Sequence, residues 1–154
     1  MREAQRFEDE VDYGLDKEEA ILRRWCSLSP DAKDARGFLK GGTFDDFDFV
    51  IFDKWGVVSC YLEVKSRRKK LSSFGDAMAP IRKHRFATYV LKQRLTAVLM
   101  VTEYACGSLV QVNLADKPAS QRDIARRDRP KMKPVPHGFW AEGQMTVLVG
   151  ANLP

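Results

Sequence analysis

The stretch DFVIFDKWGVVSCYLEVKSR, residues 48–67, constrains this chain more than any other. Two apolar, β-branched runs flank Asp-Lys-Trp-Gly, a turn with Asp at its start and Gly at its end, so the segment reads as a β-hairpin. The run Phe49–Phe52 is apolar on both faces, as expected of a strand inside a sheet covered on both sides. The second strand departs from that pattern. Glu63 and Lys65 sit two residues apart and therefore project from one face. Ser66, Arg67, Arg68, Lys69 and Lys70 follow at once.

Around this hairpin the chain alternates helix and strand signals. DKEEAILRRWCS reads as a helix with Asp16 as N-cap and Ile21, Leu22 and Trp25 on one stripe. Stepping that stripe back by one position places Glu18 on the inner face or its edge, although a first-turn glutamate is also favoured by the helix dipole alone. SPDAKDARGFLKGG reads as a loop. The strand after it begins in alternation, with Asp46 and Asp48 facing one way and Phe47 and Phe49 the other.

SSFGDAM reads as a flexible connection, and Pro80 suits the first residue of a helix running to about Arg94. The expected buried stripe of that helix is Phe86, Ala87, Val90 and Leu91, with Lys83 on the same line one turn earlier. TAVLMVTEY and SLVQVNL form two more strands around Cys106-Gly107. Residues 116–136 carry Arg122, Arg126, Arg127, Arg129, Lys131 and Lys133 among prolines and read as a basic surface segment. MTVLVG is a last strand closing an edge. The sum is an α/β sandwich on a mixed sheet.

Composition sets the outer bounds. The 154 residues suit one domain, and 44% hydrophobic with 31% charged residues is ordinary for a chain that buries a core. The formal charge of +5 favours a polyanionic partner. Cys26, Cys60 and Cys106 are odd in number and widely spaced, which speaks against a disulfide framework and for a reducing compartment. No apolar leader or membrane-length segment is evident. A cytoplasmic protein is expected.

Carboxylates gathered from Glu18, from Asp46 or Asp48 and from Glu63 would form a hard-oxygen set of the kind that binds Mg²⁺, which takes one or two carboxylates and keeps water and phosphate in its other positions. A metal so held polarises a phosphoryl oxygen and supplies hydroxide at neutral pH. Lys65 would orient that water or stabilise the charge that develops. The competing reading is plain: a Glu-x-Lys on a strand face is more often a solvent-exposed ion pair.

The segment DFVIFDKWGVVSCYLEVKSR resembles the core of the PD-(D/E)XK nuclease superfamily, in which an Asp opens one strand and the next ends in (D/E)-x-K. GLDKEEAILRRW is similar to the opening helix of its resolvase-like branch through Gly14 and Glu18. The resemblance implies a restriction-endonuclease-like αβββαβ core over residues 14–114, a mixed central sheet flanked by helices, and a basic extension over 115–154 similar to that of small phage-encoded members. It puts the first metal-binding acid on Asp48, the second on Glu63 and the lysine on Lys65. Phe47 stands where the name-giving motif has Pro, which leaves the choice between Asp48 and Asp46 open.

The activity implied is Mg²⁺-dependent hydrolysis of DNA, with Mn²⁺ as a substitute metal. Glu18 and Asp46 complete the metal-binding candidates, and Arg67, Arg68, Lys69, Lys70, Lys83, Arg126 and Arg127 would grip phosphates. Junction or branched DNA is one substrate class, for which cutting at paired sites would need a homodimer. The alternative is a non-catalytic DNA-binding or assembly protein that keeps the fold.

Overall fold

A computed structural model of the protein describes residues 5–6, 17–41, 47–68, 76–125 and 131–149. Ten strands and two α-helices follow in the order β1 (Gln5–Arg6), α1 (Lys17–Leu28), β2 (Gly37–Lys40), β3 (Phe49–Phe52), β4 (Val58–Ser66), β5 (Asp76–Pro80), α2 (Ile81–Arg94), β6 (Ala97–Glu103), β7 (Leu109–Asn113), β8 (Ser120–Ile124), β9 (Val135–Ala141) and β10 (Met145–Val149). They form an α/β architecture on a mixed sheet.

The main sheet has the strand order β1-β2-β3-β4-β6-β7-β10. Strands β4 and β6 run parallel, with Glu63 opposite Met100 and Lys65 opposite Thr102, while every other described neighbour in this sheet is antiparallel. A parallel pair needs a crossover. Here β5 and α2 supply it. The β3–β4 hairpin closes as its turn chemistry dictates: Asp53 accepts hydrogen bonds from the backbone of Trp55 and Val57 through Oδ1, and Gly56 takes a φ of 76°. The β6–β7 turn uses Gly107 in the same way, at a φ of 86°.

Two hydrophobic layers cover the sheet. On one face Ile21, Leu22 and Trp25 of α1 pack with Phe38, Phe49, Ile51, Cys60, Leu62, Val64, Leu99 and Val101. On the other, Ala87 and Val90 of α2 pack with Tyr61, Val98, Met100, Val112 and Leu114. From Cys60 onward, even-numbered residues of β4 thus face α1 and odd-numbered ones face α2, while Val58, before the register shift, packs on the α2 side. A second sheet, of order β5-β9-β8, lies on the α2 side and adds Ala77, Ala79 and Trp140 to that layer. Among the described residues, no helix is long and apolar enough to cross a membrane.

Several sequence expectations need correction. Part of the supposed loop before the hairpin is strand β2, paired with β3. The supposed connection after residue 71 contains β5, and the basic segment contains β8, both paired with β9. Pro80 ends β5, and α2 begins at Ile81. Leu91 is exposed, and the buried line of α2 is Ile81, Lys83, Ala87 and Val90. Phe47 and Phe49 do not share a face: Phe47 packs beside Tyr61 in the α2 layer and Phe49 lies in the α1 layer. The reason is that β3 begins only at Phe49, so strict alternation does not extend back to Phe47.

Candidate metal and phosphodiester site

Asp48 immediately precedes β3 and is fixed by β4. Its backbone N–H donates to the Leu62 carbonyl at 2.9 Å, and its Oδ2 accepts the Val64 N–H at 2.7 Å. Those two bonds straddle Glu63. The β3–β4 ladder ends with Phe49 opposite Leu62, so it is these two bonds that hold Asp48 against β4 beyond it. The two carboxylates are thereby brought close enough for the Asp48 charge to act on Glu63.

Glu63 is 4% exposed, on the face that looks toward α2. Its Oε1 lies 3.5 Å from the Lys65 ammonium, and its Oε2 lies 3.3 Å from that of Lys83. Burial pushes the Glu63 carboxyl above its usual range, and the neighbouring Asp48 charge adds to the rise, while Lys65 and Lys83 pull it back. An acid here would be costly without those partners. Lys65 keeps about a third of its side chain exposed. Lys83 does not: it is 6% exposed, carried inward by the first turn of α2.

An aromatic group borders the acids. Tyr61 is two residues before Glu63 on the same face, with its ring 4.8 Å from that of Phe47 and 6.2 Å from that of Phe86. Arg94, at the far end of α2, donates to the Tyr61 hydroxyl at 3.1 Å. Helical spacing had put Lys83 on the inner line of α2, but the identity of its anion was not readable. That anion is Glu63, twenty residues back.

The other candidates stand apart from this cluster. Glu18 is half-buried in the first turn of α1, the helix that packs on the opposite face of the sheet. Arg67 is committed to the fold, its backbone N–H donating to Glu103 and its guanidinium to the Met78 carbonyl at 3.1 Å. Arg68 is exposed. Gly14, Asp16, Asp46, Lys69, Lys70, Arg126, Arg127 and Arg129 lie outside the described residues.

The donor set suits a small hard cation. Neither ammonium contact to Glu63 is as short as the ~2.8 Å of a strong charge-assisted hydrogen bond, so neither carboxylate oxygen is locked. Asp48 spends Oδ2 on Val64, and among the described residues its Oδ1 makes no hydrogen bond. Two carboxylates with one oxygen or more to offer match what Mg²⁺ takes from a protein when phosphate and water fill its other positions. No protein-family model, curated protein or solved structure matches this chain.

Proposed function

We propose that the chain is a metal-dependent deoxyribonuclease, a phosphodiester hydrolase of the PD-(D/E)XK type. One observation carries the reading: Asp48, bonded to Leu62 and Val64 on either side of Glu63, sets a second carboxylate near the Glu63 carboxyl, with Lys65 one pleat beyond Glu63 on the same face. Apart from β5, which joins the second sheet, the order of α1, β2, β3, β4, α2 and β6, with β6 parallel to β4, supports the reading of an αβββαβ core.

In this reading Asp48 and Glu63 hold Mg²⁺, with Mn²⁺ able to replace it. When bound, the metal supplies Lewis acidity at a phosphoryl oxygen and a hydroxide nucleophile near neutral pH. Lys65, about a third exposed, reaches the scissile phosphate and balances the negative charge that grows on it. Arg68 meets backbone phosphate outside the acidic pair, a contact that orients DNA without reading bases. Asp46 remains a further acid for the same metal, and Lys69, Lys70, Arg126 and Arg127 further phosphate contacts. Branched or junction DNA is the substrate class proposed first, with a homodimer for paired cuts.

The second reading, a non-catalytic DNA-binding or assembly protein, is favoured by the pairing of Glu63 with two lysines, as in a purely structural ion cluster. Incubation of supercoiled, linear and branched DNA with the protein separates the two. Cleavage that requires Mg²⁺ and vanishes in EDTA supports the nuclease. Retention of DNA without cutting in Mg²⁺ and Mn²⁺ supports the alternative.

A further inference from the structure

Lys83 is the least expected member of the cluster. It sits in the first turn of α2, where the helix presents its positive pole and has no acidic residue to offset it. Its ammonium is nonetheless buried, 3.3 Å from Glu63 Oε2. Nothing about helix formation favours a lysine there. What holds it is the Glu63 anion, and the dependence is mutual, since a buried carboxylate also needs its cation.

Among the described residues of the cluster, the formal charges of Asp48, Glu63, Lys65 and Lys83 cancel. A divalent cation entering this neutral group alone would leave two uncompensated positive charges beside buried side chains, which is unfavourable. The imbalance is relieved when an ammonium withdraws or an anion arrives. Lys65 is partly exposed and can swing into solvent. Lys83 is held, because Ala87 and Val90 fix its helix in the core. The remaining source of negative charge is the phosphodiester itself.

We propose that Lys83 is a positioning residue that couples metal binding to phosphodiester binding at Asp48 and Glu63, so that neither loads well without the other. The proposal rests on the metal-dependent nuclease reading and adds to it a fixed internal cation, supplied by α2, that competes with the metal. Its consequence is restraint: metal does not accumulate in the protein between substrates.

The test measures Mn²⁺ binding by electron paramagnetic resonance, with and without a short phosphorothioate-linked DNA duplex, for wild type, Lys83→Met and Lys83→Arg, each checked for a cooperative thermal melt. Wild type is expected to bind Mn²⁺ about tenfold tighter in the presence of duplex. Lys83→Met should bind Mn²⁺ alone about tenfold tighter than wild type does, with little further gain from duplex. Lys83→Arg, which keeps the charge, should behave as wild type. If Lys83→Met fails to fold, Lys83→Gln takes its place, and the wild-type comparison needs no variant. Equal Mn²⁺ affinity with and without duplex in wild type overturns the coupling while leaving Mg²⁺-dependent cleavage untouched. Coupling that survives in Lys83→Met overturns the role of Lys83. Absence of Mn²⁺ binding under every condition overturns this proposal and the nuclease reading together.

Discussion

The two faces of the main sheet solve different problems with the same strand. On the α1 side, β4 contributes Cys60, Leu62 and Val64 to an apolar layer, beside which Gln111 accepts from Trp25 and Ser29 and donates to Asp31. The Arg24–Glu103 ion pair of that side is only part-buried. On the α2 side the same strand presents Tyr61, Glu63 and Lys65, and the layer next to the aromatic rings is ionic. Burial stabilises the first face. It strains the second, which is tolerable only while all the charges are present. An arrangement costly to stability and poised for chemistry is what functional sites show.

Breaking each face separates stability from activity. Glu63→Ala should have the largest effect, lowering Mg²⁺-dependent cleavage by about 10³-fold or more, because it removes several kcal/mol of metal-based stabilisation. It should also destabilise the fold by about 3 kcal/mol, since Lys83 is left buried without its anion. Plasmid cleavage and urea unfolding read the two effects. Leu22→Ala, on the α1 face, should cost a similar ~3 kcal/mol through a cavity. The variant protein that remains folded should cut at the wild-type rate. Comparable rate losses in both variants would erase the distinction between the faces.

Lys65→Ala should lower the single-turnover rate by roughly 10²-fold with the Mg²⁺ midpoint nearly unchanged, because a cation is not a metal ligand. Its effect on unfolding should be under about 1 kcal/mol, as its ammonium is partly exposed. A midpoint shift with the saturated rate preserved would assign Lys65 to the structural side. The smallest effect concerns the arginines. Arg68→Ala should reduce the slope of log affinity against log salt by about 1 and weaken all sequences alike, read by fluorescence anisotropy in Ca²⁺. Arg67→Ala should instead show as a loss of about 1 kcal/mol of stability, through its bond to the Met78 carbonyl.

The legible parts of the fold were those with strong local signals. The β3–β4 and β6–β7 hairpins carry long apolar runs and glycine turns, and α1 carries its stripe of Ile21, Leu22 and Trp25. Strands β2, β5 and β8 lack such signals. Gly-Phe-Leu-Lys is too short to show alternation. Asp-Ala-Met-Ala-Pro has small side chains and ends in a residue poor for sheets, and Ser-Gln-Arg-Asp-Ile is almost wholly polar. Each is a strand because a neighbour pairs with it, which no local window contains. For the site, the period of two puts Glu63 and Lys65 on one face, whereas the sequence leaves Asp46 and Asp48 as alternatives, and the place of Asp48 depends on its own bonds to Leu62 and Val64. The partnership of Glu63 with Lys83 depends on where a crossover helix docks, and that is a tertiary fact.

The parallel seam between β4 and β6 has a consequence for how the chain assembles. On either side of it lies a hairpin, β3–β4 and β6–β7, that closes through a short local turn, whereas the seam waits for the crossover to wrap round. Until it does, β4 is the unprotected border of a half-built sheet, with a long apolar run open to any passing strand. Charges pointing inward from such a border are a known deterrent to stray pairing. Glu63 and Lys65 are those charges here. The acid and base that make the finished interior expensive also guard the unfinished one, so replacing Glu63, Lys65 and Lys83 together by apolar residues of similar size is expected to raise the stability of the native protein and its tendency to aggregate during refolding together.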